Sequence, residues 1–226
     1  FPIPVRHGLT LGELAQMMNA HWNPTPAPLT VIPCAGWQRS MTWEQTGLVW
    51  IPPSPNMPHL STAQHYPGAC LVEGTQLSEG RGTALPFEIV GAPWIDPATL
   101  ADHLNAQGWP GVRFRPHVFL PTQSKWNGAT CGGVQVHITN QHAWQPLRVW
   151  LAVIMALRHL YPDDFAWLPP YQGGVEPSPQ HFDRLIGSTA VRSQIDDGAT
   201  LHDITATWAT DRQNFAQQRQ PFLLYT

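Results

Sequence analysis

The chain has 226 residues, of which 42% are hydrophobic and only 12% charged, with 12 Lys+Arg against 15 Asp+Glu for a formal net charge of −3. That length can bury a real core as one large domain or two small ones. The low charge excludes a disordered acidic or basic arm, there is no basic excess to neutralise a nucleic-acid backbone, and no apolar run reaches the roughly 18 residues of a membrane span.

Helix signals come first from caps. Thr10-Leu11-Gly12-Glu13 is a capping box that opens a helix through Met18. Leu29 to Ile32 carries strand character inside a proline-rich surface excursion, Trp22 to Pro33. Leu48 to Leu60 is a second proline-rich loop, built around Ser54, Asn56 and His59. Ala69 to Val72 and Phe87 to Val90 read as strands, and the polar, glycine-rich stretch GTQLSEGRGT, Gly74 to Thr83, joins them.

Asp96 caps a helix with Pro97 at its first position, and Gly108 stops it. Val112 to Leu120 and Gly133 to Thr139 read as strands, the latter with Val134, Val136 and Ile138 alternating against a polar face that includes His137. Pro146 opens an apolar helix that Pro162 ends. Ser178-Pro179 starts a helix stopped by Gly187, and Ser188 starts another closed by Gly198. Thr200 caps a longer amphipathic helix presenting Ile204, Trp208 and Phe215, and Phe222 to Tyr225 forms a last strand. Helices and strands mix without βαβ alternation. The expected class is α+β: a mixed β-sheet packed with helices, with long ordered Pro/Gly-rich loops, in a single domain over 1–226.

The composition has two oddities. Eleven tryptophans suit either a loop-rich core or the flat faces that stack on sugar rings, and the core is the commoner use. Basic residues are nearly all arginine, with one lysine, Lys125. The three cysteines, Cys34, Cys70 and Cys131, allow at most one intramolecular disulfide and show no CxxC zinc spacing. The histidines form no HExxH or comparable motif, so a metal site is not expected from them.

The densest polar set is Glu73, Thr75, Ser78, Glu79, Arg81 and Thr83, interleaved with glycines that permit close backbone approach. Two carboxylates beside an arginine can serve as acid and base, or can brace the loop as a structural ion pair. Neither GxxxxGK[ST] nor GxGxxG occurs, so the loop is not a phosphate cradle, and GxSxG is absent. Ser124-Lys125 follows a strand and places the sole lysine where it can meet a ligand or simply the surface.

The segments PVRHGLTLGELA, WIPPSPNMP, YPGACLVEGTQLSEGRGTALPFEIVGAPWID, FLPTQSKWNGATCGGVQVHITN, FDRLIGSTAVRSQIDDG and WATDRQNFAQQRQPFLLY run in order over most of the chain. Through them the sequence resembles the bacterial exo-β-N-acetylmuramidases of glycoside hydrolase family 171. The resemblance implies release of N-acetylmuramic acid from the non-reducing end of peptidoglycan fragments, in the periplasm or outside the cell, and implies no cofactor. It also implies a C-terminal, auxiliary part only. PVRHGLT matches the start of the second domain, so the N-terminal Rossmann-like domain is expected to be absent and to act as a partner of this chain. On this reading Glu79 and Glu73 are the catalytic candidates. Arg81, Ser54, Asn56, Ser124, Lys125, His7, Ser78, Thr83 and His137 bind substrate or order the cleft, and Arg81 or Arg6 meets the lactyl carboxylate of the sugar. The alternatives are a stand-alone peptidoglycan-binding module without catalysis and a structural protein that reuses the fold.

Overall fold

The computed structural model describes residues 3–170 and 180–225. By internal contacts the chain divides into two compact units, Phe1–Trp50 with Thr205–Thr226, and Ile51–Ile204. The expectation from sequence is a single domain over 1–226, against these two units.

In the first unit, helix α1 (Leu11–His21) begins at the capping box. Thr10 Oγ1 accepts from the Glu13 N–H at 3.3 Å, and the Thr10 N–H donates to Glu13 Oε2 at 2.7 Å. Glu13 is fully buried. Its second oxygen accepts from Arg39 Nη2 at 2.5 Å and from the Leu224 N–H at 2.7 Å. Burial opposes its ionisation, but these bonds prevail and hold its carboxyl below the usual range. One side chain thereby ties the helix start to a loop and to the C-terminal tail. Beside it, Leu9, Met17 and Phe215 form a small core with Leu14, Trp22 and Phe222 packed on it. Arg219 closes the unit by donating to the carbonyls of His7 at 2.7 Å and Gly8 at 3.0 Å.

The second unit holds α2 (Leu60–Ala69), β1 (Ile89–Ala92), α3 (Pro97–Ala106), β2 (Val112–Phe119), β3 (Cys131–Ile138), α4 (Pro146–Leu160), α5 (His181–Ile186) and α6 (Thr189–Asp196). Helix α7 (Leu201–Thr205) ends it, and α8 (Trp208–Arg219) belongs to the first unit. The single long helix expected after Thr200 is thus two, separated by a turn at 206–207. Asp96 accepts from the Thr99 N–H at 2.7 Å and caps α3 as its sequence predicts. Helix α4 is buried on most of its surface, with Trp150, Leu151, Val153, Ile154 and Leu157 inaccessible to solvent.

The sheet has the order β1-β3-β2, with both pairings antiparallel. The expected mixed sheet is corrected on this point. The connection through α3 carries the chain from β1 to β2 and leaves a gap one strand wide, which β3 fills by returning from β2. The gap is narrow because Gly133 has no side chain: a Cβ there would meet the carbonyl of Val90. Gly133→Ala should therefore destabilise the protein by about 3 kcal/mol through displacement of β1, and urea unfolding measures it. An unchanged midpoint would mean that the strand spacing adapts.

Three expected strands are not strands. Ala69–Val72 is the end of α2 running into a 3-10 turn, Cys70–Gly74, with Leu71 and Val72 buried. A short buried apolar run has no period that separates helix from strand. Leu29–Ile32 is coil with Ile32 exposed, and of Phe222–Tyr225 the first residue ends a 3-10 turn, Gln220–Phe222, and the rest is coil. Ser178-Pro179, read as a helix start, lies outside the described residues. Among the described residues, no helix is long and apolar enough to cross a membrane.

Candidate functional site

The loop 73–88 is pinned at both ends before any side chain is considered. Ser78 and Gly91 exchange backbone hydrogen bonds at 2.8 and 3.1 Å, which lays the loop along the outer edge of β1. The Phe87 N–H donates to the Glu79 carbonyl at 2.7 Å and closes the tip. Gly80 and Gly82 take positive φ within it, at 76° and 77°. Ser78 and Thr83, expected to meet substrate, instead brace the turn. Ser78 Oγ accepts from the Gly80 N–H at 3.2 Å, and Thr83 Oγ1 donates to the Gly80 carbonyl at 2.6 Å.

This scaffold gathers four charged groups. Arg81 donates from Nε to Glu79 Oε1 at 2.8 Å and from Nη2 to Glu73 Oε1 at 2.5 Å. Lys125 Nζ lies 2.8 Å from Glu79 Oε2. Both oxygens of Glu79 therefore face cations, and its side chain is 3% exposed, against 20% for Glu73 and 26% for Arg81. Lys125 also donates to the carbonyls of Val72 at 3.0 Å and Thr75 at 2.9 Å, so its three protons all have acceptors within the protein. Burial lowers its pKa from the usual lysine value even beside Glu79. It is delivered inward by a backbone kink, since Ser124 and Trp126 on either side both take positive φ, at 63° and 59°. Ser124 itself is exposed. Trp126 Nε1 donates to the Gln76 carbonyl at 2.8 Å, a second tie between the two loops.

An aromatic floor lies beneath the arginine. The Arg81 guanidinium sits 5.0 Å from the centroid of Phe87, and Tyr66 of α2 meets the same ring edge-on at 4.9 Å. Phe87 has φ of 63°, a conformation that a bulky residue adopts only where its surroundings over-determine it. Burial raises the Tyr66 pKa, and the negative charge of Glu73 raises it further. Next to Phe87, Glu88 Oε1 accepts from the hydroxyls of Ser61 at 2.7 Å and Thr62 at 3.0 Å. Tyr66, Phe87 and Glu88 are not among the site residues expected from sequence. Tyr66 and Phe87 give no signal there because proline and glycine neighbours hide α2, and left-handed phenylalanine has no sequence signature.

The remaining expected residues make none of the hydrogen bonds or ion pairs of this network. Ser54 and Asn56 form their own turn, with the Met57 N–H donating to the Ser54 carbonyl at 2.9 Å. His7 belongs to the first unit, where its Nδ1 accepts from the Leu9 N–H at 3.1 Å. His137 lies on β3 opposite Arg113, and its Nε2 is buried without a hydrogen-bond partner. His65 of α2 is 2% exposed and packed between Trp144 and Trp150. Burial, with the charge of His137 second, lowers its pKa to about 4. Two surface depressions, of 380 and 230 Å³, are lined by none of the four charged residues. No group of three or more metal-ligating side chains occurs among the described residues.

The family model described as "Exo-beta-N-acetylmuramidase NamZ, C-terminal" matches residues 64–225, and "Exo-beta-N-acetylmuramidase NamZ, N-terminal" matches residues 1–61. A curated relative, "Peptidoglycan beta-N-acetylmuramidase NamZ" of Bacillus subtilis (strain 168), is 39% identical over 225 residues, covering 100% of this chain and 52% of the relative. The chain thus spans about half the length of that relative. Two crystal structures of DUF1343 family proteins from Bacteroides fragilis NCTC 9343 superpose on it. One has a TM-score of 0.87 at 32% identity and the other 0.71 at 30%; each covers 100% of this chain and 58% of the other.

These matches correct three expectations. The chain is not the C-terminal part alone, because the N-terminal model matches residues 1–61. For the same reason the family's N-terminal Rossmann-like domain is not absent from this chain, and it is not a separate partner of it. The error has a physical source. PVRHGLTLGELA, taken as the start of the sheet-bearing domain, lies in the first compact unit, where α1 packs against Phe215 near the other end of the chain.

Proposed function

Because the chain belongs to the exo-β-N-acetylmuramidase NamZ family, a family of glycoside hydrolases, we propose that it cleaves a β-linked N-acetylmuramic acid from the non-reducing end of peptidoglycan-derived fragments. The observation that carries this reading is the Glu73–Arg81–Glu79–Lys125 network on the strained loop over Phe87 and Tyr66. In it Glu73 is the partly exposed carboxylate and the candidate for acid or base. Glu79 is the positioning residue, since cations occupy both of its oxygens. Arg81 orients Glu73 and presents a cation above the buried Phe87, next to Tyr66, whose exposed part offers a face to a pyranose ring or an acetamido methyl. Ser54, Asn56, Ser124 and His7 are secondary candidates as sugar contacts. The relationship to a peptidoglycan enzyme supports action in the periplasm or outside the cell.

A chromogenic β-N-acetylmuramic acid glycoside tests the reading against the matching N-acetylglucosamine glycoside. Release from the first and not the second is the expected result. Binding of N-acetylmuramic acid without release would favour a carbohydrate-binding module, a reading that the engaged carboxylates also suit. Neither binding nor release would overturn both.

A further inference from the structure

Arg113 and Arg115 are two residues apart on β2 and so project from one face of the sheet. Both are exposed, and neither pairs with a carboxylate among the described residues. Arg115 Nη2 donates to Gln135 Oε1 at 2.5 Å and lies 3.1 Å from His117 Nδ1. The register places Arg113 opposite His137 and Arg115 opposite Gln135. One face therefore carries two guanidinium groups, two imidazoles and an amide, with no acid among them. The crowding is electrostatically unfavourable as it stands: burial and then Arg115 and His137 keep the His117 pKa below the usual histidine value. In a chain with only 12 basic residues, this is a costly place to set two of them side by side unless an anion completes it.

The shelf adjoins the candidate site. Gln135 lies between Arg115 on one side and Ile89 on the other, and Ile89 packs with Leu85 and Trp126 of the site loops. Arg81 is poorly suited to an acidic ligand, because two glutamates already hold it. Arg115 meets only neutral acceptors, both through Nη2, which leaves its Nη1 and Nε protons for a carboxylate.

We propose that Arg115, held by Gln135 and flanked by Arg113 and His117, is a carboxylate-binding site for the acidic group of the substrate. Naming that group as the lactyl carboxylate of N-acetylmuramic acid rests on the glycosidase reading above. A carboxylate on a peptide attached to the sugar has the same chemistry.

Titrations followed by NMR of the His117 and His137 imidazoles separate these cases. The ligands are N-acetylmuramic acid, N-acetylglucosamine and an acidic dipeptide, each added to the wild-type chain, Arg115→Gln and Arg113→Gln. The expected result is that the acidic sugar shifts both rings and loses about tenfold or more in affinity in Arg115→Gln. The neutral sugar binds more weakly and is indifferent to the substitution. Arg115-dependent binding of the dipeptide alone would keep the carboxylate site and transfer it from sugar to peptide. Equal binding of the acidic sugar by wild type and both variants would overturn the site while leaving the glycosidase reading intact. Failure of every acid to bind would overturn it as well.

Discussion

Replacing Glu79 with glutamine should cost about 3 kcal/mol of unfolding free energy. That is the lower end of the range for breaking a buried ion pair, since Arg81 keeps some contact with solvent. The isosteric amide leaves Arg81 and Lys125 facing a neutral group that is 3% exposed, and Lys125 cannot turn to water without abandoning the carbonyls of Val72 and Thr75. Glu73→Gln should cost no more than about 1 kcal/mol, because its single ion pair is part-exposed. Urea unfolding of the two variants side by side measures the contrast. Equal losses would mean that Glu79 is not the positioning residue of the loop.

Stability should also fall in acid because of His65. Its folded-state pKa is about 4, below the ordinary 6.5, because burial between two tryptophans, with His137 nearby, disfavours the imidazolium. Above pH 6.5 the ring is neutral in both folded and unfolded chains, and its contribution is fully present. As pH falls from 6.5 towards 4, the unfolded chain takes up the proton first, and stability is lost until the folded ring titrates near pH 4. The gap corresponds to about 3 kcal/mol. Unfolding free energies of wild type and His65→Phe across this window isolate the contribution from other titrating groups. The wild-type curve should fall more steeply, and parallel curves would contradict the assignment.

Much of the helical scaffold is legible in sequence because its signals are local. The Thr10–Glu13 box, the Asp96-Pro97 cap, the Pro146 start of α4 and the glycine stops at 187 and 198 each act within one turn of chain. Helix α2 is not legible, since Pro67 and Gly68 mark its end as a breaker and its start has no side-chain cap. The sheet's pairing is not legible either, because Gly132 and Gly133 matter through what packs on them from Ile95 and Val90.

The site divides in the same way. Glu73, Glu79 and Arg81 stand out as one polar loop, and the structure brings them together. The lone lysine, Lys125, also stands out, yet its role as an internal brace depends on carbonyls some fifty residues earlier in the chain. Ser78 and Thr83 look like ligand groups for the same reason that they make good turn braces: short hydroxyl side chains bond to nearby backbone as readily as to a sugar.

The most direct test is steady-state hydrolysis of a β-N-acetylmuramic acid glycoside by wild type and Glu73→Gln, with the thermal midpoint of each. The expected result is turnover by wild type, a fall in kcat of about a hundredfold or more in the variant, and midpoints within a few degrees. Unchanged kcat in a folded Glu73→Gln protein would contradict this and remove Glu73 from the chemistry.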